Sequence, residues 1–403
     1  MTDPLQKCFS EAKIKGLSLR NRLIKAATFE GMSPGGVPGE ALMRLHERHG
    51  EGGIGMTTVA YCAAEADGRI NEHMLYMHEG IRKHLERLIG RVKATGARVS
   101  GQLGHCGNFT KNRKFSGKRP LGASAGVNKL GLTAGLPMGG ALTKAQIRER
   151  VQVFGQAAAF MKSVGFDAIE IHFGHGYGIS QFISPLTNKR KDEYGGKLSN
   201  RMRFPLEVLE AVRAAVGDDY PILGKISMTD GAKGGITYDD GIEVAAHLES
   251  GGIDVIICSG GTSSMNPMLL FRGDSMLDGL LEQEKSSVMK LGMKFMGPSM
   301  FKEYPYEENF FFDEARRVRD RVQCGVCYIG GTCTSESIRS VMDAGFDFIQ
   351  MGRGLLYDPD MPKHAEADPS YVNGCNHCNQ CATLIDAPGG ILCVEQPDNF
   401  AIG

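Results

Sequence analysis

Short apolar runs alternate with longer amphipathic stretches along the chain. The apolar runs predict strands at 23–27, 56–61, 98–103, 168–172, 222–226, 255–258, 326–329 and 348–351. Between them, helical periodicity predicts helices that include 143–164, 203–216, 239–250 and 336–344. Thr143 stands three residues before Gln146, the capping-box arrangement that starts the first of these. Eight strands alternating with helices, several of them continuously apolar, predict an α/β fold, a parallel (β/α)8 TIM barrel. A doubly wound open sheet is the competing arrangement. It calls for G-x-G-x-x-G after the first strand, where this chain has Phe29-Glu30-Gly31 instead.

Three segments exceed a minimal barrel. Residues 104–142 are Gly-rich and partly basic, with Lys111, Arg113, Lys114, Lys118 and Arg119. Residues 262–312 carry Met265, Met268, Phe271, Met293, Phe295 and Phe301, and Phe310-Phe311-Phe312 close them. Residues 359–403 hold Cys375, Cys378, Cys381 and Cys393. The expected organisation is a barrel over 1–358 and a Cys-rich tail over 359–403 packed on it. Loops that follow barrel strands surround the active site, so the first two insertions are expected at its mouth.

Composition narrows the class. The chain has 403 residues, 42% of them hydrophobic, which suits a globular core and excludes a disordered protein. Its 46 basic and 46 acidic side chains cancel, so no overall charge draws it to nucleic acid or to acidic membranes. No apolar run reaches the roughly 18 residues of a membrane span, and the start lacks the regions of a signal peptide. A cytoplasmic location is expected, where cysteines are seldom structural disulfides. The 11 cysteines and 54 glycines therefore need another account.

Glycines follow the last two strands, at Gly330-Gly331 and at Gly352, with Arg353 beside the second. Loops in these places commonly bind phosphate through backbone N–H groups, and a Cβ would hold the phosphate off. Ordinary tight turns are the alternative. After the fourth strand comes His172-Phe173-Gly174-His175-Gly176-Tyr177. Two neutral histidines at a strand end can hold one carbonyl oxygen as charge builds on it, and Tyr177 is placed to give a proton. A metal pair or core histidines are the other readings.

The segment His172-x-x-His175-Gly176-Tyr177, followed by Ser184-Pro185-Leu186-x-Asn188 and Asn200-Arg201-x-Arg203-Phe204, resembles the old yellow enzyme family of flavin oxidoreductases. The resemblance covers nearly the whole chain and implies an FMN-binding barrel reduced by NAD(P)H. It implies that Ala26, Ala27 and Thr28 support the flavin and that Gln102 bonds its pyrimidine edge. Lys225 is implied near flavin N1 and O2, with Gly330, Gly331, Gly352 and Arg353 on the phosphate. One position departs: where relatives place Thr or Cys near flavin O4, this chain has Phe29, preceded by Thr28.

The tail spacing Cys375-x2-Cys378-x2-Cys381-x11-Cys393 suits iron–sulfur ligation. Zinc and free thiols are the alternatives. The tail resembles those of 2,4-dienoyl-CoA reductase and trimethylamine dehydrogenase, barrel relatives with a [4Fe–4S] cluster. Cys324-x2-Cys327 reads as core, and His105, Cys106 and Cys62 are open between mouth and packing.

The resemblance implies an FMN-dependent ene reductase, passing hydride from NAD(P)H to the β-carbon of an enone or enoyl thioester. Tyr177, His172 and His175 are its expected catalytic residues. The alternatives are an FMN/iron–sulfur dehydrogenase or demethylase feeding an external electron-transfer protein, and a non-catalytic ligand-binding barrel. The basic run is either a solvated face or a contact for NADPH or CoA phosphates.

Overall fold

A computed structural model describes residues 3–402 apart from 115, 118, 285, 286 and 388. Eight parallel strands close into a barrel in chain order: β1 (Leu23–Lys25), β2 (Met56–Ala63), β3 (Arg98–Gly104), β4 (Ala168–His172), β5 (Ile222–Ser227), β6 (Val255–Ser259), β7 (Gly325–Tyr328) and β8 (Phe348–Met351). Closure runs through Ile349 opposite Leu23 and Met351 opposite Lys25. Each strand of the barrel is buried almost throughout, which explains the continuous apolar runs.

A helix follows each of the first seven strands: α1 (Glu40–Glu51), α2 (Arg82–Ala94), α3 (Lys144–Ser163), α4 (Arg203–Val216), α5 (Tyr238–Ser250), α6 (Phe312–Arg321) and α7 (Ser335–Asp343). Thr143 and Gln146 form the expected capping box on α3. After β8 come two short helices, α8 (Arg353–Tyr357) and α9 (Met361–Ala367).

The starts of the strands meet in an apolar plug. Ile24, Met56, Ala168, Leu223, Val255 and Phe348 pack with Ala12, Ile14 and Leu19 of the N-terminal hairpin. Two expected boundaries move by two residues, the others by one at most. β1 stops at Lys25, although Ala26 still donates to the Met351 carbonyl at 2.7 Å, and the chain then turns out along the mouth. β2 runs on to Ala63 through a register shift between Val59 and Cys62.

The insertions are more ordered than loops. Residues 104–142 contain a small three-stranded sheet, and 262–312 contain helices Leu277–Gln283 and Ser287–Met300. No helix among the described residues is long and apolar enough to cross a membrane.

Candidate active site

The strand ends and insertions enclose a cavity of about 400 Å³ at the C-terminal end of the barrel. Its wall brings together Ala26, Ala27, Thr28, Gln102, His172, His175, Tyr177, Lys225, Gly330, Gly331, Gly352 and Arg353, residues spread over 328 positions of sequence (353 less 26, counted inclusively). Inward-facing positions alternate along a strand, so Glu170 and His172 of β4 point to the same side, with Gln102 of β3 opposite Glu170 and Lys225 of β5 opposite His172.

The histidine and tyrosine rings form one group. His172 and His175 lie 5.0 Å apart and Tyr177 lies 4.8 Å from His172. His175 takes a positive φ of 61°, which turns its ring back towards the first histidine. Ser227 Oγ holds its backbone N–H at 2.8 Å, and its Nε2 lies 2.9 Å from Ser259 Oγ. Burial drives both imidazoles towards the neutral form: His175 falls to about 3 and His172 well below its usual range. Burial also raises the Tyr177 phenol to about 12, opposed by its hydrogen bond to Ser263. The site thus holds two neutral imidazoles beside a firmly protonated phenol.

Beneath them lies a polar floor that sequence reasoning missed in part. Glu170 Oε1 accepts from Gln102 Nε2 at 2.6 Å and from Lys225 Nζ at 2.9 Å, while Oε2 accepts from Gln350 Nε2 at 2.6 Å. Gln350 Oε1 is a buried acceptor without a protein partner. Glu170 and Gln350 were signalled only as polar residues inside otherwise apolar strands. Tyr61 was also missed; its ring sits 5.9 Å from His172 and 5.4 Å from Tyr177.

Thr28, not Phe29, presents a hydroxyl beside β1. Lys25 Nζ donates to Thr28 Oγ1 at 2.9 Å and pairs with Glu30 at 2.5 Å, both ends of that pair being buried. Phe29 contributes its ring to the cavity wall. At the far end Gly331 has a φ of 86°, which favours glycine. Arg353 is partly committed elsewhere: its Nη1 donates to the Arg272 carbonyl at 2.7 Å and to Asn379 Oδ1.

These residues fit FMN in kind. An isoalloxazine needs a flat apolar cleft, acceptors and a cation at its pyrimidine edge, and an open backbone for its phosphate. Gln350 Oε1, the Lys225 ammonium, the Gln102 amide and the Gly330–Gly331 and Gly352 loops would hold those parts.

The tail lines the same cavity through His377, Cys381, Thr383 and Ile391. Asn379 anchors it by donating to the carbonyls of Phe271 and Asp274 at 2.7 and 2.8 Å. The four tail cysteines are free, and burial raises the thiols of Cys375 and Cys381, the latter to about 12. Among the described residues, however, no three His, Cys, Asp or Glu side chains stand close enough to hold a metal ion. The expected cluster or zinc set is therefore not assembled here; Cys375 Sγ instead lies 3.7 Å from His377 Nδ1.

The basic run is largely consumed by pairing. Lys111 pairs with Asp386 of the tail, Lys114 with Glu72, and Arg113 donates to the Ala134 carbonyl. Lys118 lies outside the described residues. Cys62, Cys106 and Cys327 are buried, Cys324 is half-buried, and Phe311 packs in the core.

The pattern of the NADH:flavin oxidoreductase / NADH oxidase family matches residues 7–263. Over 387 residues the chain is 37% identical to 4,4'-dithiodibutanoate disulfide reductase of Rhodococcus erythropolis, covering 95% of this chain and 94% of that protein. It is 31% identical over 374 residues to a metal reductase of Desulforamulus reducens, covering 92% of this chain and 50% of that one. The solved 2-naphthoyl-CoA reductase bound to 2-naphthoyl-CoA has the same fold, with a TM-score of 0.81 at 22% identity over 98% of this chain and 58% of that one. The chain spans about half the length of the last two. It belongs to the NADH:flavin oxidoreductase / NADH oxidase family, and is an FMN-dependent oxidoreductase drawing on NAD(P)H.

Proposed function

We propose that the chain reduces the C=C bond of α,β-unsaturated carbonyl compounds. The observation that carries this reading is the pair of neutral imidazoles, His172 and His175, beside the protonated Tyr177 in one cavity wall. FMN held by Gln102, Lys225, Gln350 and the glycine loops would supply the hydride for this reduction, with NAD(P)H as the reductant. His172 and His175 hold the substrate's carbonyl oxygen by N–H donation, so that negative charge growing there is stabilised in a dry site. Ser259 orients the second ring. Tyr177 delivers a proton to the α-carbon, and the Ser263 hydroxyl holds its phenol in place. The apolar walls from Phe271, Leu270 and Met276 suit a hydrophobic acceptor.

Tyr177→Phe tests the assignment by stopped flow. Flavin bleaching by NAD(P)H is expected to stay near wild type, while re-oxidation by an enone such as 2-cyclohexenone slows by ~10²-fold. Unchanged re-oxidation would remove Tyr177 from the proton step.

A second reading follows from the near full-length match to a disulfide reductase. In it the same cavity takes an organic disulfide, and NAD(P)H with one proton cleaves it to two thiols. Turnover of 4,4'-dithiodibutanoate but of no enone by the purified holoenzyme would favour this reading over the first. For the tail thiols we propose a cluster that assembles only with iron and sulfide present, serving an external electron-transfer protein. Iron and acid-labile sulfide analysis of anaerobically purified protein tests it, and a metal-free tail would sink it.

A further inference from the structure

We infer that Glu170 is a positioning residue that sets both the hydrogen-bonding polarity and the charge of the cavity floor, through Gln102, Gln350 and Lys225. Glu170 is fully buried and carries three donors from three other strands, β3, β5 and β8. Two consequences follow from elementary hydrogen bonding. A carboxylate only accepts, so each glutamine must turn its NH2 to Glu170 and its carbonyl oxygen away. That explains why Gln350 Oε1 is left as a buried acceptor without a protein partner. Glu170 thereby selects which of two amide orientations the cavity presents, and the ring N–H of a dioxopyrimidine is the donor that would satisfy it.

The second consequence concerns charge. Lys225 is buried at the C-terminal half of β5 and its ammonium lies 2.9 Å from Glu170 Oε1. An unpaired ammonium in such a place is strongly disfavoured, and so is an unpaired carboxylate. The pair keeps a cation under the cavity while Glu170 offsets part of its field. Lys25, which is neutralised by Glu30, faces Lys225 from β1, whereas Arg353 lies at the far end of the cavity, turned towards Asn379. Glu170 is thus the carboxylate that tempers Lys225 directly.

The inference rests on FMN as the cavity's cofactor, and two experiments separate its failure from the failure of that reading. In the first, Glu170→Gln is compared with wild type for FMN affinity and for redox balance against a reference dye. FMN titration of the apo-protein, followed by quenching of flavin fluorescence, is expected to show about tenfold weaker binding, because the two amides are free to turn. With Lys225 no longer offset, the ratio of reduced to oxidised flavin at fixed dye potential is expected to rise by about tenfold, one decade being about 1.4 kcal/mol. Weaker binding with an unmoved ratio would mean that Glu170 is merely structural, and the proposal would fall.

The second experiment uses apo-protein, so it needs no flavin. Lys225→Met alone strands a buried carboxylate, and the double variant with Glu170→Gln removes both charges. The double variant is expected to melt at a higher temperature than Lys225→Met. Additive losses, or a double variant that does not fold, would overturn the pairing. Failure of wild-type apo-protein to take up FMN would instead strike at the cofactor reading.

Discussion

The two ends of the barrel are built from the same eight strands yet have opposite chemistry. At the start of the strands, Ile24, Met56, Leu223, Val255 and Phe348 meet the N-terminal hairpin in an apolar plug. At their ends, Lys25, Gln102, Glu170, His172, Lys225, Ser259 and Gln350 form a buried polar floor. Within β5 the change takes two residues, from Leu223 to Lys225. The plug is held by area removed from water and tolerates substitutions of similar volume. In the floor, a buried charge or amide that loses its partner costs about 1–3 kcal/mol, and Gln350 Oε1 already stands without one in the protein. One end therefore supplies stability, and the other spends some of it on reactivity.

Substitutions can break this contrast. Phe348→Ala in the plug is expected to cost about 3–5 kcal/mol of stability, read as a lower denaturant midpoint, while NAD(P)H oxidation per folded molecule stays near wild type. A large catalytic defect in the folded fraction would show that plug and floor are not independent. At the floor, His172→Ala is expected to slow alkene reduction by ~10²–10³-fold and to weaken phenolic-ligand binding, with flavin retained. Normal reduction by that variant would take His172 out of the oxyanion contact.

Smaller effects sharpen the picture. Thr143→Ala removes the capping box of α3 and is expected to lower stability by about 1 kcal/mol, measured by denaturant titration, without altering the cavity. Asn379→Ala removes one of the two acceptors of Arg353 and the tail's hydrogen bonds to the Phe271 and Asp274 carbonyls. It is expected to raise proteolysis of the tail while core unfolding shifts little, and an equally resistant tail would mean that other contacts hold it. The smallest expected effect is that of pH. His175 titrates at about 3, His172 well below its usual range, and Tyr177 at about 12. His175 charges only as pH falls towards 3, His172 only well below its usual range, and the phenol ionises only as pH rises towards 12. The rate of flavin re-oxidation by an enone should therefore be flat between about pH 5 and 9. A break near 6 would place a charged histidine in the step.

The sequence made the barrel legible because parallel strands buried on both faces are largely apolar, and eight candidate strands, several of them continuous apolar runs, separated by helical periodicity leave few other topologies. It also marked His172, His175 and Tyr177, which lie within six residues of one another on a strand end. Residues that matter singly and far apart were harder to see. Glu170 reads as one acid in an apolar strand, and Gln350 as an ordinary polar residue 180 positions later. Only barrel closure brings β4 and β8 within reach of one carboxylate. Likewise, the four tail cysteines proclaim their chemistry by spacing, whereas the path of the tail decides whether the sulfurs converge, and among the described residues they do not. What the chain determined by itself was the period and burial of its elements, which are local properties. Which polar groups share a partner depends on strand register and closure. That was decided by the tertiary structure, because a buried donor finds its acceptor across the barrel and not along the chain.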